Sequence, residues 1–164
     1  MWRLTVEKYI GYFIDSFLIQ EAKRYDLKGR TEIGALRKYY FLDTGLRNAR
    51  LNFAFPDEGQ MLENIVYNEL IYNGYSVNIG TFDTVIKDKN GKSVRKTSEV
   101  DFFAKRGTNQ FYIQVCASLA DTTTRAREVR PFLQLNDQVR KIIVTGQNVN
   151  ENLDENGFVI IGAI

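Results

Sequence analysis

Three oxygen-bearing side chains lie in or beside apolar segments, where polar residues are uncommon. Asp101 and Gln114 interrupt the apolar stretch that runs from Ser98 to Cys116, and Glu63 lies on an amphipathic segment before it. A carboxylate inside an apolar run is costly to bury without a hydrogen-bond partner or a cation. Carboxylate and amide oxygens are ligands for Mg²⁺ or Mn²⁺, so Glu63, Asp101 and Gln114 are side chains of the right type for hard-cation chemistry.

The apolar stretch is predicted to be a β-hairpin, because β-forming residues flank a short polar turn. If the turn centres on Thr108 and Asn109, Asp101 faces Cys116 on the neighbouring strand. Side chains alternate along a strand, so Asp101, Gln114 and Cys116 would then share one face of the sheet. A three-residue loop would place Gln114 on the opposite face. The site therefore depends on an even-membered turn.

The composition excludes several classes of site. The 164 residues contain no histidine and a single cysteine, so imidazole bases, Ser-His or Cys-His nucleophiles and His- or thiolate-bound zinc are absent. Any metal would be a hard cation held by oxygen atoms. Cys116 is expected to be a small core residue rather than a reactive thiol.

Length and charge set broader limits. A chain that is 44% hydrophobic can bury one core, or one core with a small satellite domain. A net charge of +2 permits contact with nucleic acid but does not require it. With one cysteine, no signal-peptide core and no run of membrane-spanning length, the sequence predicts a soluble, cytoplasmic protein that does not contact a membrane.

The first fifty residues predict a helix followed by a two-stranded ribbon. Residues 5–18 have helical periodicity, residues 18–25 and 36–42 are extended, and the polar turn between these strands carries Lys28 and Arg30. This order is similar to the second half of a winged helix, so residues 1–50 are interpreted as a partial winged helix, cut from a longer protein. Lys28 and Arg30, with Arg37 and Lys38, either contact DNA phosphates or are plain solvated residues.

Residues 51–164 predict a second unit of α-β-β-β-α-β-β order. Its first helix spans residues 57–73 and is closed by Gly74, and its second spans residues 122–135. Strands are predicted at 75–86, 92–103, 141–145 and 158–161, beside the second hairpin strand. Lys89 and Lys92 belong to a basic patch around the predicted turn at Asn90; this patch either binds DNA or keeps the hairpin soluble.

The spacing of these residues resembles the PD-(D/E)xK, or restriction-endonuclease-like, nuclease fold. In that fold a helix Glu, a strand Asp and an E-x-K on the following strand surround a divalent metal; Glu63, Asp101 and Gln114-Val115-Cys116 occupy those positions, with Gly59 and Gly74 bounding the helix. The resemblance implies a catalytic site of Glu63, Asp101 and Gln114, in which Asp101, Gln114 and the Val115 carbonyl hold a Mg²⁺ ion that activates water for phosphodiester cleavage. Gln114 removes one charge and Cys116 cannot supply the lysine, so the site is degraded; Lys105, Arg125 and Arg127 are candidate substitutes for the missing cation.

A second resemblance covers nearly the whole chain. The blocks TVEKYIGYFIDSFLIQEAKRYDLKG, KYYFLDTGLRNA, LENIVYNEL, EVDFF and YIQV are similar to the C-terminal region, a domain of unknown function, of a large family of prokaryotic AAA-type ATPases. This resemblance implies that the partner of the chain is the ATPase core of the parent protein. ATP would be handled there, because the chain has no G-x-x-x-x-G-K-[ST] phosphate loop.

These patterns together predict an α/β protein, in which a restriction-endonuclease-like mixed sheet flanked by helices (51–164) follows a partial winged helix (1–50). Its expected function is that of an accessory domain of an AAA-type ATPase that binds DNA or a protein partner without enzymatic activity of its own. One alternative is a Mg²⁺-dependent DNA endonuclease that uses Glu63, Asp101 and Gln114. The other is a protein-interaction or oligomerisation module.

Overall fold

The computed structural model describes residues 2–54, 57–87 and 91–163. Within these ranges the helices are α1 (Trp2–Asp15), α2 (Thr44–Arg50), α3 (Glu58–Tyr72) and α4 (Thr122–Leu133). The strands are β1 (Ile19–Asp26), β2 (Thr31–Phe41), β3 (Ser76–Lys87), β4 (Ser93–Arg106), β5 (Asn109–Cys116), β6 (Arg140–Thr145), β7 (Asn152–Leu153) and β8 (Val159–Gly162). None of these helices is long and apolar enough to cross a membrane.

The strands form one mixed sheet in the order β2-β1-β3-β4-β5-β6-β8-β7. Pairing is parallel between β1 and β3, between β5 and β6 and between β6 and β8, and antiparallel elsewhere. The protein is therefore α/β with a mixed sheet flanked by helices. Because β1 pairs with β3 through Arg24 and Ile79, the boundary predicted near residue 50 does not separate two sheets.

Helices α3 and α4 cover opposite faces of the sheet. α3 follows the prediction closely: the Asp57 carboxylate accepts a hydrogen bond from the Gln60 N–H at its start, and Gly74, at φ 77°, turns the chain after its end. Its Tyr67 packs in one core cluster with Phe102, whereas Phe132 of α4 packs in a second cluster on the other face. Helix α2 was not predicted, because it buries none of its residues and so lacks an apolar period.

The hairpin of β4 and β5 has a different register from the predicted one. Its turn is Gly107-Thr108, with Arg106 opposite Asn109, so the prediction of a turn at Thr108-Asn109 is wrong by one position, although the turn is even-membered. A glycine at φ 59° opens the turn, a conformation that favours glycine.

A β-bulge at Asp101 breaks the alternation of side chains between the two faces of the sheet, on which the predicted site relied. Val100 pairs with Gly80 and Phe103 pairs with Asn78. Asp101 and Phe102 of β4 therefore both lie opposite the one β3 residue between Asn78 and Gly80. A bulge re-aims the side chains that it contains. The prediction that Asp101, Gln114 and Cys116 share a face through strict alternation is therefore wrong at Asp101.

The last strand packs against a loop closely enough to require glycine at its end. A Cβ added to Gly162 would lie 2.7 Å from the Gln147 carbonyl oxygen and 2.9 Å from the Val149 nitrogen and oxygen. We expect Gly162→Ala to lower the free energy of unfolding by ~1–3 kcal/mol, because main-chain atoms must move to accept the methyl group.

Chemical denaturation measures this loss, and Gly11→Ala is the matched control. A Cβ at Gly11 meets nothing within 4 Å and lies inside α1, so this variant should be slightly more stable than the wild type. Equal stability of the two variants would contradict the close contact at Gly162.

Candidate functional site

An ion-pair network joins the N-terminal ribbon to α3 and β4. The Lys38 Nζ atom lies 3.1 Å from Glu63 Oε1 and 3.0 Å from Glu99 Oε1. Glu99 Oε2 also lies 2.6 Å from a guanidinium nitrogen of Arg24, and the Tyr40 hydroxyl donates to Glu63 Oε1 over 2.6 Å. Four separate elements thus meet at this network, because its residues come from β1, β2, α3 and β4.

Asp101 lies next to this network. The Val115 N–H donates to Asp101 Oδ2 over 2.8 Å, while burial, reinforced by the charge of Glu63, raises the pKa of the carboxyl to about 7. Lys38 opposes this rise through its positive charge. We call the whole group the Lys38 cluster: Arg24, Lys38, Tyr40, Glu63, Glu99 and Asp101.

The protonation states of Lys38 and Tyr40 follow from their surroundings. Burial alone would lower the pKa of Lys38, but Glu63 and Glu99 more than offset this effect and raise it above its ordinary value. Burial, with the nearby charge of Glu63, strongly raises the pKa of the Tyr40 hydroxyl. At neutral pH Lys38 is therefore a cation and Tyr40 a hydrogen-bond donor, and both contact Glu63 Oε1. A cavity of about 340 Å³ lies beside these three residues.

Gln114 is directed to the other face of the sheet. Its Nε2 donates to Glu128 Oε2 on α4 over 2.9 Å, and its Oε1 is buried without a hydrogen-bond partner. Glu128 Oε1 is in turn held by Arg127, whose NH2 atom lies 2.8 Å away. Cys116 is buried, and burial, with the charge of Glu128, raises the pKa of its thiol to about 11. The structure therefore brings Glu63 and Asp101 together but points Gln114 toward α4.

The Mg²⁺ ion implied by the nuclease resemblance is poorly matched to these residues. The unpartnered Gln114 Oε1 is a suitable ligand atom, but Glu63 Oε1 already accepts from Tyr40 and contacts Lys38. Within the described ranges, no group of three or more Asp, Glu, His or Cys side chains is placed to hold a metal ion. The donor set does not fit a divalent cation, and metal binding by Asp101 and Gln114 stays a prediction.

Lys38 supplies the positive charge beside Glu63 and Asp101, whereas the sequence predicts that Lys105, Arg125 or Arg127 supplies it. Lys105 instead lies over the Tyr25 ring, 4.6 Å from its centroid, and Arg127 pairs with Glu128. The sequence predicts Lys38 only as a DNA contact or a solvated residue. The available signal was strand alternation, which places Lys38 on the same face as the buried Tyr40.

One of the two predicted DNA-contacting turns, that between β1 and β2, packs against β3. The Lys28 Nζ atom donates to the Asp83 carbonyl oxygen over 3.0 Å, which holds the β1–β2 turn against β3. Arg30 is exposed in this turn, and Lys92 is exposed just before β4. Lys89 lies outside the described residues. We call Lys28, Arg30 and Lys92 the basic margin.

The raised pKa of Asp101 predicts a pH-dependent stability. Between the ordinary pKa of 3.8 and the folded value of about 7, the folded chain holds a proton that the unfolded chain releases. The free energy of unfolding should therefore fall as the pH rises through this window. Asp101→Asn keeps an acceptor for the Val115 N–H and removes the titration, so at pH 8 it should be more stable than the wild type by on the order of 4 kcal/mol.

Denaturation of both proteins across this pH range tests the idea, and carboxyl NMR of Asp101 locates the titration directly. The advantage of Asp101→Asn should disappear near pH 4. Parallel pH profiles would show that Asp101 titrates at an ordinary pKa.

The Lys38 ion pairs predict a measurable coupling energy. Lys38→Met leaves Glu63 and Glu99 without this cation and should lower the free energy of unfolding by about 2 kcal/mol, between the values for exposed and buried pairs. Combining Lys38→Met with Glu63→Gln should recover part of the loss in a double-mutant cycle.

Lys23→Met is the control for this cycle. Lys23 forms a 3.4 Å pair with Glu32 in which both side chains are more than half exposed, so its removal should change stability by less than about 0.5 kcal/mol. Additive effects of the Lys38 and Glu63 substitutions would contradict the coupling.

Comparisons with known proteins identify relatives without assigning a role. Residues 2–57 match the model of a domain of unknown function, DUF8612. The chain is 31% identical to an uncharacterized protein of Haemophilus influenzae over 143 residues, which cover 87% of this chain and 32% of that protein. It is 33% identical over 130 residues to an uncharacterized protein of Methanocaldococcus jannaschii, covering 79% of this chain and 26% of that protein. No solved structure gives a significant match. The chain thus spans about a third or less of the length of these curated relatives.

Proposed function

We propose that the chain is a DNA-binding accessory module with a restriction-endonuclease-like fold that does not cleave DNA. The observation that carries this proposal is the position of Lys38, whose ammonium group lies 3.1 Å from Glu63 Oε1. This group provides the positive charge beside the helix carboxylate that a divalent metal provides in a metal-dependent nuclease. Unlike a divalent metal, a fixed ammonium group cannot bind a water molecule and lower its pKa, so it does not generate the nucleophile that cleavage requires.

The order of elements supports the fold part of this proposal. Helix α3 carries Glu63, the bulge of β4 carries Asp101, and β5 carries Gln114, as the nuclease resemblance implies. The order α1-β1-β2 in the N-terminal third supports a partial winged helix, whose ribbon here adds to the sheet edge.

The basic margin supports the DNA-binding part. Lys28 and Arg30 lie in one turn, and the contact of Lys28 with Asp83 brings this turn to the strand pair that leads to Lys92. Lysine and arginine side chains on a common surface neutralise neighbouring phosphates of a duplex without reading its sequence. We expect such a surface to position the module on DNA rather than to select a site.

Attachment to an ATPase core belongs to the same proposal. The two relatives are at least three times as long as the region they share with this chain, which leaves room for such a core. ATP would bind there and not in this module. The module would hold the DNA while the core uses ATP.

A Mg²⁺-dependent endonuclease is the second candidate. The observation that favours it is again Lys38, since a lysine near Glu63 and Asp101 could orient a water molecule in place of the lysine missing from β5. The donor set argues against this candidate, because Gln114 is held by Glu128.

DNA binding tests the proposal through its dependence on charge and salt. Fluorescence anisotropy with a labelled duplex should show binding that weakens strongly between about 50 and 200 mM salt. Lys28→Glu combined with Arg30→Glu should weaken binding to all sequences. It should also reduce the slope of the logarithm of the binding constant against the logarithm of the salt concentration by the equivalent of about two phosphate contacts. Lys8→Glu on α1 is the control, because it removes a cation away from both turns.

A plasmid assay separates the two candidates. With Mn²⁺ or Mg²⁺ added, the proposal expects no nicking by the wild type. Nicking that is lost in Asp101→Ala would establish the endonuclease instead. Absence of DNA binding at low salt would refute the module.

A further inference from the structure

The hairpin of β3 and β4 extends beyond the rest of the sheet. β1 pairs with β3 only as far as Thr81, and β5 pairs with β4 only from Phe102 onward. Residues 82–87 pair with residues 93–98, and in the described part of the chain no third strand pairs with either segment. We call these two segments the β3–β4 arm. Its paired length is about 20 Å.

Only the base of the β3–β4 arm packs against the body of the protein. Phe82 is buried in the core cluster of α4, and the Ser98 hydroxyl donates to Gln134 Oε1 over 3.1 Å. Farther out, residues 91–97 are all exposed, and Val85 on the other strand is 73% exposed. Two strands that project in this way bury no core of their own, so the length of the arm does not follow from the needs of the fold.

The arm concentrates the positive charge of the protein. The sequence from residue 82 to residue 98 contains five basic and two acidic residues, a net charge of +3, whereas the whole chain has a net charge of +2. The rest of the chain therefore carries a net charge of −1. Lys87, Arg95 and Lys96 are exposed on the arm. This distribution favours a polyanion as the occupant of the arm, because an uncharged partner would gain nothing from it.

One face of the arm holds an arginine in a fixed orientation. Val85 pairs with Arg95 and Asp83 pairs with Thr97, so these four side chains share that face. Asp83 Oδ1 accepts from the Thr97 hydroxyl over 2.6 Å, and Asp83 Oδ2 lies 2.7 Å from Arg95 Nε. A guanidinium held at Nε keeps its terminal amino groups at its outer end, and the Arg95 side chain is 79% exposed. The face therefore presents an oriented donor fork beside an exposed aliphatic side chain.

We propose that the β3–β4 arm enters the major groove of duplex DNA, where Arg95 and Val85 contact base edges. This inference rests on the proposed DNA-binding function and adds the mode of recognition. The major groove of B-DNA is about 12 Å wide and admits a two-stranded β-ribbon, whereas the minor groove is only about 6 Å wide. An arginine fork binds O6 and N7 of guanine in that groove, and an aliphatic side chain contacts the methyl group of thymine.

The basic margin fits this placement. Lys28 lies at the base of the arm through its contact with Asp83, and Lys92 directly precedes the outer strand at Ser93. Phosphates line both walls of the groove that the arm would occupy, so cations at the two ends of the arm would contact the backbone. The basic margin would then position the module on the duplex, and the arm would select the site.

Selection from a pool of random-sequence duplexes tests this proposal. The wild type should enrich a common sequence that contains guanine, and fluorescence anisotropy then gives its preference for that duplex over a scrambled one. Arg95→Lys keeps the charge but removes the fork, so it should lose this preference by at least about tenfold while its affinity for the scrambled duplex changes less than about threefold. Lys96→Ala is the matched control: Lys96 is the neighbouring exposed cation on the opposite face, and its loss should leave the preference unchanged.

A change in the DNA identifies the groove. Replacing guanine by 7-deazaguanine in the selected duplex removes N7 from the major groove alone, so it should weaken binding by the wild type and leave binding by Arg95→Lys unchanged, while circular dichroism shows that both proteins are folded. Binding without a common selected sequence, a preference that survives in Arg95→Lys, or an equal effect of 7-deazaguanine on both proteins would overturn the groove contact and leave DNA binding established. Absence of binding to any duplex at low salt would refute the proposed function together with this inference.

Discussion

The contact of Lys38 with Glu63 and Glu99 is the interaction on which the rest of the structure depends. Three carboxylates converge where β2, α3 and β4 meet, and only Lys38 and Arg24 offset their charge within this cluster. Ionised carboxylates in a partly buried site repel one another and lose solvation, so the cations of the ribbon and the raised pKa of Asp101 both lower the cost of placing three carboxyls together. The ribbon is therefore held in place by charge as well as by the pairing of β1 with β3.

The same contact determines what the candidate site can do. A divalent metal would need Glu63 and Asp101 to present open oxygen atoms, whereas Glu63 Oε1 receives Tyr40 and Lys38 and Asp101 Oδ2 receives the Val115 N–H. On the other face Gln114 is committed to Glu128. The carboxylates are thus parts of the internal network of hydrogen bonds and ion pairs, which accounts for a polar residue in the apolar hairpin.

The sequence was sufficient for features that local chemistry specifies. The span of α3 follows from its apolar period and Gly74, and the β4–β5 hairpin follows from its β-forming residues around a short polar turn, although that turn lies one position before the predicted one. The orientation of Asp101 could not be predicted, because a bulge arises from pairing with β3 and leaves no pattern in β4 alone. The partner of Lys38 also could not be predicted, since Glu63 and Glu99 are 25 and 61 positions away and meet it only once the ribbon joins the sheet.

The sheet keeps two charged regions of the molecule separate. The Lys38 cluster lies under α3 toward the N-terminal strands, and the basic margin lies at the turns beside β3. Because strands are rigidly spaced at about 4.8 Å, a substitution in one region leaves the other in place. The ion pairs of the Lys38 cluster and the exposed charges of the basic margin can therefore change independently.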